Sequence, residues 1–127
     1  DPGVHMRILV VDDDAEILRL VALLLRSDGR EVITASGPAE AKALSRERVF
    51  DLLLTDIDME GSPVGITLAS DLMASSPTLR VILMSGSGPR QGIPPTLPFL
   101  AKPFTRDELV KVVAEVFRNE PTAGATA

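Results

Sequence analysis

The 127-residue chain contains no cysteine, which rules out both disulfides and thiolate metal sites. Tryptophan and tyrosine are also missing, only four phenylalanines are present, and the formal charge is −5. A nucleic-acid surface would need a basic stripe, usually with aromatics for stacking, so no nucleic-acid contact by this chain is expected. No apolar run approaches the roughly 20 residues that span a bilayer, and no signal-peptide pattern is present, so no membrane association is expected. The one histidine, His5, lies in Asp-Pro-Gly-Val-His-Met, which reads as an expression remnant (residues 1–5) ending at a start methionine, Met6. Histidine chemistry is thereby set aside, and a cytoplasmic location is the expectation. The remainder is ordinary for a globular domain, 45% apolar and 24% charged, and long enough for a real core.

Ile8 to Val11 is a β-rich run that stops at Asp12, Asp13 and Asp14. Asp14 suits an N-cap, and the helix behind it should run from Ala15 to about Asp28, with Gly29 past its end. At about 100° per residue, Ile17, Leu18, Leu20, Val21, Leu23, Leu24 and Leu25 cover roughly 220° of that helix, leaving Arg19, Ala22 and Arg26 on the other arc. One sheet contact needs less, so either the helix is deeply buried or one edge of its stripe docks a partner helix. A second strand falls at Arg30–Ala35, and Pro38 opens a helix reaching about Arg48. Leu52 to Leu54 form a third strand, buried on both faces, that leads into Asp56 and Asp58 and stops at Gly61. Gly61 to Gly65 is a loop, Ile66–Ser75 a helix, and Val81–Met84 a fourth strand. Gly86–Pro98 holds too many glycines and prolines for a regular helix.

Phe99–Ala101 is a short fifth strand, followed by a Lys102-Pro103-Phe104 turn. In the last helix Thr105 and Glu108 form a capping box, Phe104 and Leu109 a hydrophobic staple, and Leu109, Val112, Val113, Val116 and Phe117 the apolar face. Residues 120–127 read as a flexible tail or the start of a linker. The alternation gives an α/β domain over 6–119, a five-stranded parallel sheet with helices on both faces.

Asp12, Asp13, Asp56, Asp58, Ser85 and Lys102 each fall just past a strand end and should converge at one sheet edge. Singly, Ser85 reads as a turn residue and Lys102 as a solvated charge; their joint placement at successive strand ends points to a site. Two carboxylates about 4 Å apart repel by about 4 kcal/mol at an effective dielectric near 20. Such a group needs a cation or a raised pKa. Oxygen donors without histidine or cysteine point to Mg²⁺, with Mn²⁺ or Ca²⁺ as alternatives. A hydroxyl and a lysine facing that metal would receive phosphoryl oxygens, and a carboxylate nucleophile could form an aspartyl phosphate.

The segments Val10-Val11-Asp12-Asp13, Asp51-Leu52-Leu53-Leu54-Thr55-Asp56, Ile82-Leu83-Met84-Ser85-Gly86 and Ala101-Lys102-Pro103-Phe104 together resemble the response-regulator receiver domains of two-component signalling. The resemblance implies a doubly wound, flavodoxin-like sheet of strand order 2-1-3-4-5. It implies that Asp56 accepts a phosphoryl group from a phosphohistidine on a histidine kinase or histidine phosphotransfer protein. It further implies that Asp13, Asp56 and the backbone carbonyl of Asp58 hold Mg²⁺, that Asp12 acts largely through water, and that Lys102 pairs with the phosphoryl oxygens. Ser85 would move to hydrogen-bond them, Phe99 would take the place of the aromatic switch residue, and the Lys102–Pro103 bond would be cis. The chemistry implied is self-phosphorylation and self-dephosphorylation rather than enzymatic turnover.

Three features depart from that pattern. Glu60 stands where the family usually has proline, and Gly65 falls one residue late. Asp58 adds a third carboxylate. The stretch between Ser85 and Lys102 is short where the family has its fourth helix, which resembles the receivers of hybrid kinases. Two rivals remain. Asp56 and Asp58 also look like the nucleophile and acid/base pair of haloacid-dehalogenase-type phosphatases, but there the acidic pair follows the nucleophile, whereas Asp12 and Asp13 precede it. A receiver-like scaffold that is never phosphorylated would not need the full set of Asp56, Ser85 and Lys102.

Overall fold

The computed structural model describes residues 6–86 and 96–118. Five strands, β1 (Arg7–Val11), β2 (Glu31–Ala35), β3 (Leu52–Asp56), β4 (Arg80–Ser85) and β5 (Phe99–Ala101), pair in parallel in the order β2-β1-β3-β4-β5. Four helices flank them among the described residues: α1 (Ala15–Ser27), α2 (Pro38–Glu47), α3 (Val64–Ser75) and α4 (Arg106–Arg118). The irregular stretch expected in place of a helix between β4 and β5 falls largely on 87–95, outside the described residues, as do the expected remnant and tail.

The continuous apolar runs of the central strands follow from burial on both faces. Alternate side chains of β1, β3 and β4 enter two separate cores. Leu9, Val11, Leu53, Val81 and Leu83 pack with Ala41, Leu68, Ala69 and Leu72 beneath α2 and α3. Ile8, Val10, Leu52, Leu54, Ile82 and Met84 pack with Val21 and Leu25 of α1 and with Leu109, Val113 and Val116 of α4.

The caps form as the residue types predict. Asp14 Oδ1 accepts the amides of Glu16 (2.9 Å) and Ile17 (3.4 Å). Thr105 Oγ1 accepts the Glu108 amide (3.1 Å), while Glu108 Oε1 accepts the Thr105 amide (2.8 Å).

Two expectations need correction. Helix α3 begins at Val64 rather than Ile66, because the chain turns back on itself at Met59–Ser62 and enters the helix sooner. Helix α1 is rotated relative to its leucine count. Ala22 is buried, whereas Leu20 and Leu23 are 47% and 63% exposed. Lying over β2 and β1, α1 buries the arc of Val21, Ala22 and Leu25 and leaves Leu20 and Leu23 to solvent.

Candidate functional site at the carboxyl edge of the sheet

Strands β1, β3, β4 and β5 each deliver their last or next residue to one edge. Asp56 and Ser85 are the terminal residues of β3 and β4 rather than lying past them, and Asp12 and Lys102 follow β1 and β5 directly. Register makes this convergence: Val11 pairs with Thr55, Asp56 with Met84, and Ser85 with Ala101. Asp12, Asp56 and Ser85 are buried; Asp13 is exposed.

Asp12, though wholly buried, has both carboxylate oxygens bonded. Its Oδ2 accepts Lys102 Nζ at 2.6 Å and its Oδ1 accepts the Asp14 amide at 2.9 Å. Lys102 Nζ also lies 3.4 Å from Asp56 Oδ1. Burial pushes the Asp56 carboxyl up from 3.8 to about 6, the charges of Asp12 and Asp13 add to this, and Lys102 opposes it. Burial acts to lower the Lys102 pKa, but its bonds to Asp12 and Asp56 outweigh that and raise it.

Carboxylate oxygens of Asp12, Asp13 and Asp56 lie within 4.8 Å of one another. Direct ligands of one Mg²⁺ are at most about 4.2 Å apart, so small side-chain adjustments would let Asp13 and Asp56 share such an ion, with Asp12 bordering it. The raised carboxyl of Asp56 is mainly a consequence of its burial, with the Asp12 charge adding to it, so a cation at this edge would relieve both costs. The acidic triad is therefore consistent with a Mg²⁺ site.

Asp58 is half-buried on the turn after β3, two residues beyond Asp56. Phe99 is half-buried against the core beneath α2 and α3. The Lys102–Pro103 peptide is cis, and the Lys102 amide donates to the Ser85 carbonyl at 2.9 Å, joining β4 and β5 at the site.

Two contributors were not visible as side-chain chemistry. A Cβ at Gly65 would overlap the carbonyl oxygen of Asp56, and the Gly65 amide donates to Ile57 O at 2.9 Å, so glycine alone lets α3 seat against the end of β3. The Glu60 amide donates to Asp13 Oδ2 at 2.9 Å. Only the late glycine and the missing proline in the sequence hinted at either.

The response regulator receiver domain family matches residues 8–114. The transcriptional regulatory protein GlrR of Escherichia coli K12 is 33% identical over 125 residues, covering 91% of this chain and 27% of that protein. This chain thus spans about a quarter of the length of such relatives. Among solved structures, the response regulator TrrA of Thermotoga maritima, in complex with Mg²⁺-BeF, superposes with a TM-score of 0.77 at 30% identity, covering 87% of this chain and 98% of that one. The receiver domain of the hybrid histidine kinase CckA gives 0.73 at 32% identity, covering 86% and 96%. The chain belongs to the response regulator receiver domains of two-component signalling.

Proposed function

We propose that this receiver, spanning residues 6–119, takes a phosphoryl group onto Asp56 from a phosphohistidine of a histidine kinase or phosphotransfer protein. A carboxylate oxygen of Asp56 attacks phosphorus, the P–N bond to histidine breaks, and the departing imidazole takes up a proton. The observation that carries the reading is Asp56 itself. It is a buried strand-end carboxylate with Lys102 Nζ 3.4 Å away and Asp12 and Asp13 beside it.

In this reading Asp13, Asp56 and the backbone carbonyl of Asp58 would hold Mg²⁺, and the ion would supply charge neutralisation for the phosphoryl oxygens. Asp12, with both oxygens already bonded, would act on such an ion through water. Lys102 moves from its carboxylate partners to a phosphoryl oxygen. Ser85 donates its hydroxyl to another, and Phe99 repacks in response. Incubation with acetyl phosphate and Mg²⁺ should add about 80 Da, one phosphoryl group, to the intact mass. Asp56→Asn should abolish that adduct; an adduct that survives in the variant, or none in the wild type, overturns the assignment. Multiple turnover of small phosphomonoesters would instead favour a phosphatase.

The exposed pair Leu20 and Leu23 supports a docking role for α1, which starts at the rim of the site behind Asp14. A partner helix bringing the phosphohistidine to Asp56 would cover them. Leu20→Glu with Leu23→Glu should leave acetyl phosphate labelling intact and cut transfer from a histidine kinase that labels the wild type by about tenfold or more. Equal transfer by both chains would remove α1 from the interface.

A further inference from the structure

The loop after β3 differs from the family pattern at Glu60 and by one added residue before Gly65, and the structure joins these two differences in a single device. Met59 and Ser62 exchange both backbone hydrogen bonds, at 2.9 and 3.1 Å, closing a two-residue hairpin. Its central residues Glu60 and Gly61 have φ of +55° and +77°. Two positive φ angles in succession are the pattern of a type I′ turn. Proline, held near φ −65°, cannot occupy the first of these positions, so the extra residue and the missing proline go together.

In such a turn the reciprocal bonds use the backbone groups of the flanking residues, and the amide of the first central residue is left pointing outward. Here that amide is Glu60 N–H, and it lands on Asp13 Oδ2 at 2.9 Å. A proline could not donate this bond at all. Glu60 is the one non-glycine residue at positive φ among the described residues, and the strain is held by a turn that delivers a donor to a carboxylate.

We propose that the Met59–Ser62 turn is a positioning device for the cation site: the Glu60 amide fixes one oxygen of Asp13 so that the other faces the ion. This rests on the reading of Asp13 as a metal-holding residue. The role belongs to the backbone of Glu60, with Gly61 supplying the conformation that aims it. A Cβ at Gly61 meets nothing within 4 Å, so a substitution there strains the turn without a steric collision elsewhere.

The test has a metal-free arm and a metal arm. Amide hydrogen exchange of Glu60, followed by NMR without metal, should quicken by about tenfold in Asp13→Ala, since a charge-assisted bond is lost. Unchanged exchange overturns the proposal whatever the metal does. Calorimetric titration with Mg²⁺ should then show binding weakened about five- to tenfold in Gly61→Val, which keeps every charge but disfavours positive φ. Glu60→Gln, which keeps the amide, should stay within about twofold of wild type. Tight Mg²⁺ binding that Gly61→Val does not change sinks the positioning role alone. Absence of Mg²⁺ binding in the wild type sinks the metal reading and this role with it.

Discussion

At the residue scale the site is governed by the cost of a buried charge at Asp56. Its carboxyl stands at about 6 in the fold against 3.8 when exposed, burial being the largest cause and Asp12 the next. Well below pH 3.8 the group is protonated in both states and carries no penalty. As pH rises towards 6 the unfolded chain ionises first, so the fold loses stability, and above 6 the full cost, roughly 3 kcal/mol, is in place. In metal-free protein, Asp56→Asn should therefore be more stable than wild type at pH 7.5, by up to about 3 kcal/mol, with the gain fading near pH 4. Urea unfolding at the two pH values in the presence of a chelator measures this; an Asn variant no more stable at pH 7.5 would mean that Lys102 offsets the burial completely.

At the element scale the critical fit is α3 against the end of β3. Gly65→Ala would drive a Cβ into the Asp56 carbonyl oxygen, and because the obstructing atoms are backbone, neither side can yield cheaply. The expected loss is about 3 kcal/mol in urea unfolding, together with weaker Mg²⁺ binding as Asp56 is displaced; an unfolding midpoint equal to wild type would contradict the packing. The strands and the caps were legible in the sequence because burial on both faces writes uninterrupted apolar runs, and caps need particular side chains at fixed offsets, as at Asp14 and Thr105-Glu108. The rotation of α1 was not legible. Leucine occupies so many positions between Ile17 and Leu25 that the periodicity no longer selects a face, and Ala22, which is buried beside Val21 and Leu25, is too weakly hydrophobic to have marked it. The roles of Glu60 and Gly65 escaped for a different reason: one acts through a main-chain amide and the other through the absence of a Cβ, and neither leaves a chemical group in the sequence to read.

At the scale of the whole molecule, the acidic cluster is set apart from the arginines of the opposite sheet edge. Arg7, Arg30 and Arg80 lie at the amino edge, where Arg7 meets Glu31 at 2.6 Å and Arg30 and Arg80 stack on Phe117 at 4.9 and 5.6 Å. A five-residue strand separates the two edges by roughly 17 Å, about twice the screening length at physiological salt, so these arginines cannot neutralise the acidic cluster. Among the described residues the cation bonded to that cluster is Lys102. Asp12, Asp13 and Asp56 set against one ammonium leave a formal local charge of about −2 when all are ionised. A divalent ion matches that deficit where a monovalent one does not. Mg²⁺ at about ten times its Kd should stabilise the fold by about 1.4 kcal/mol, a melting shift of roughly 3–6 °C for a domain of this size. Na⁺ at equal ionic strength should give little of it, and Asp13→Asn should lose most of it. Equal shifts with Na⁺ and Mg²⁺ would mean that screening alone, rather than a site, relieves the repulsion.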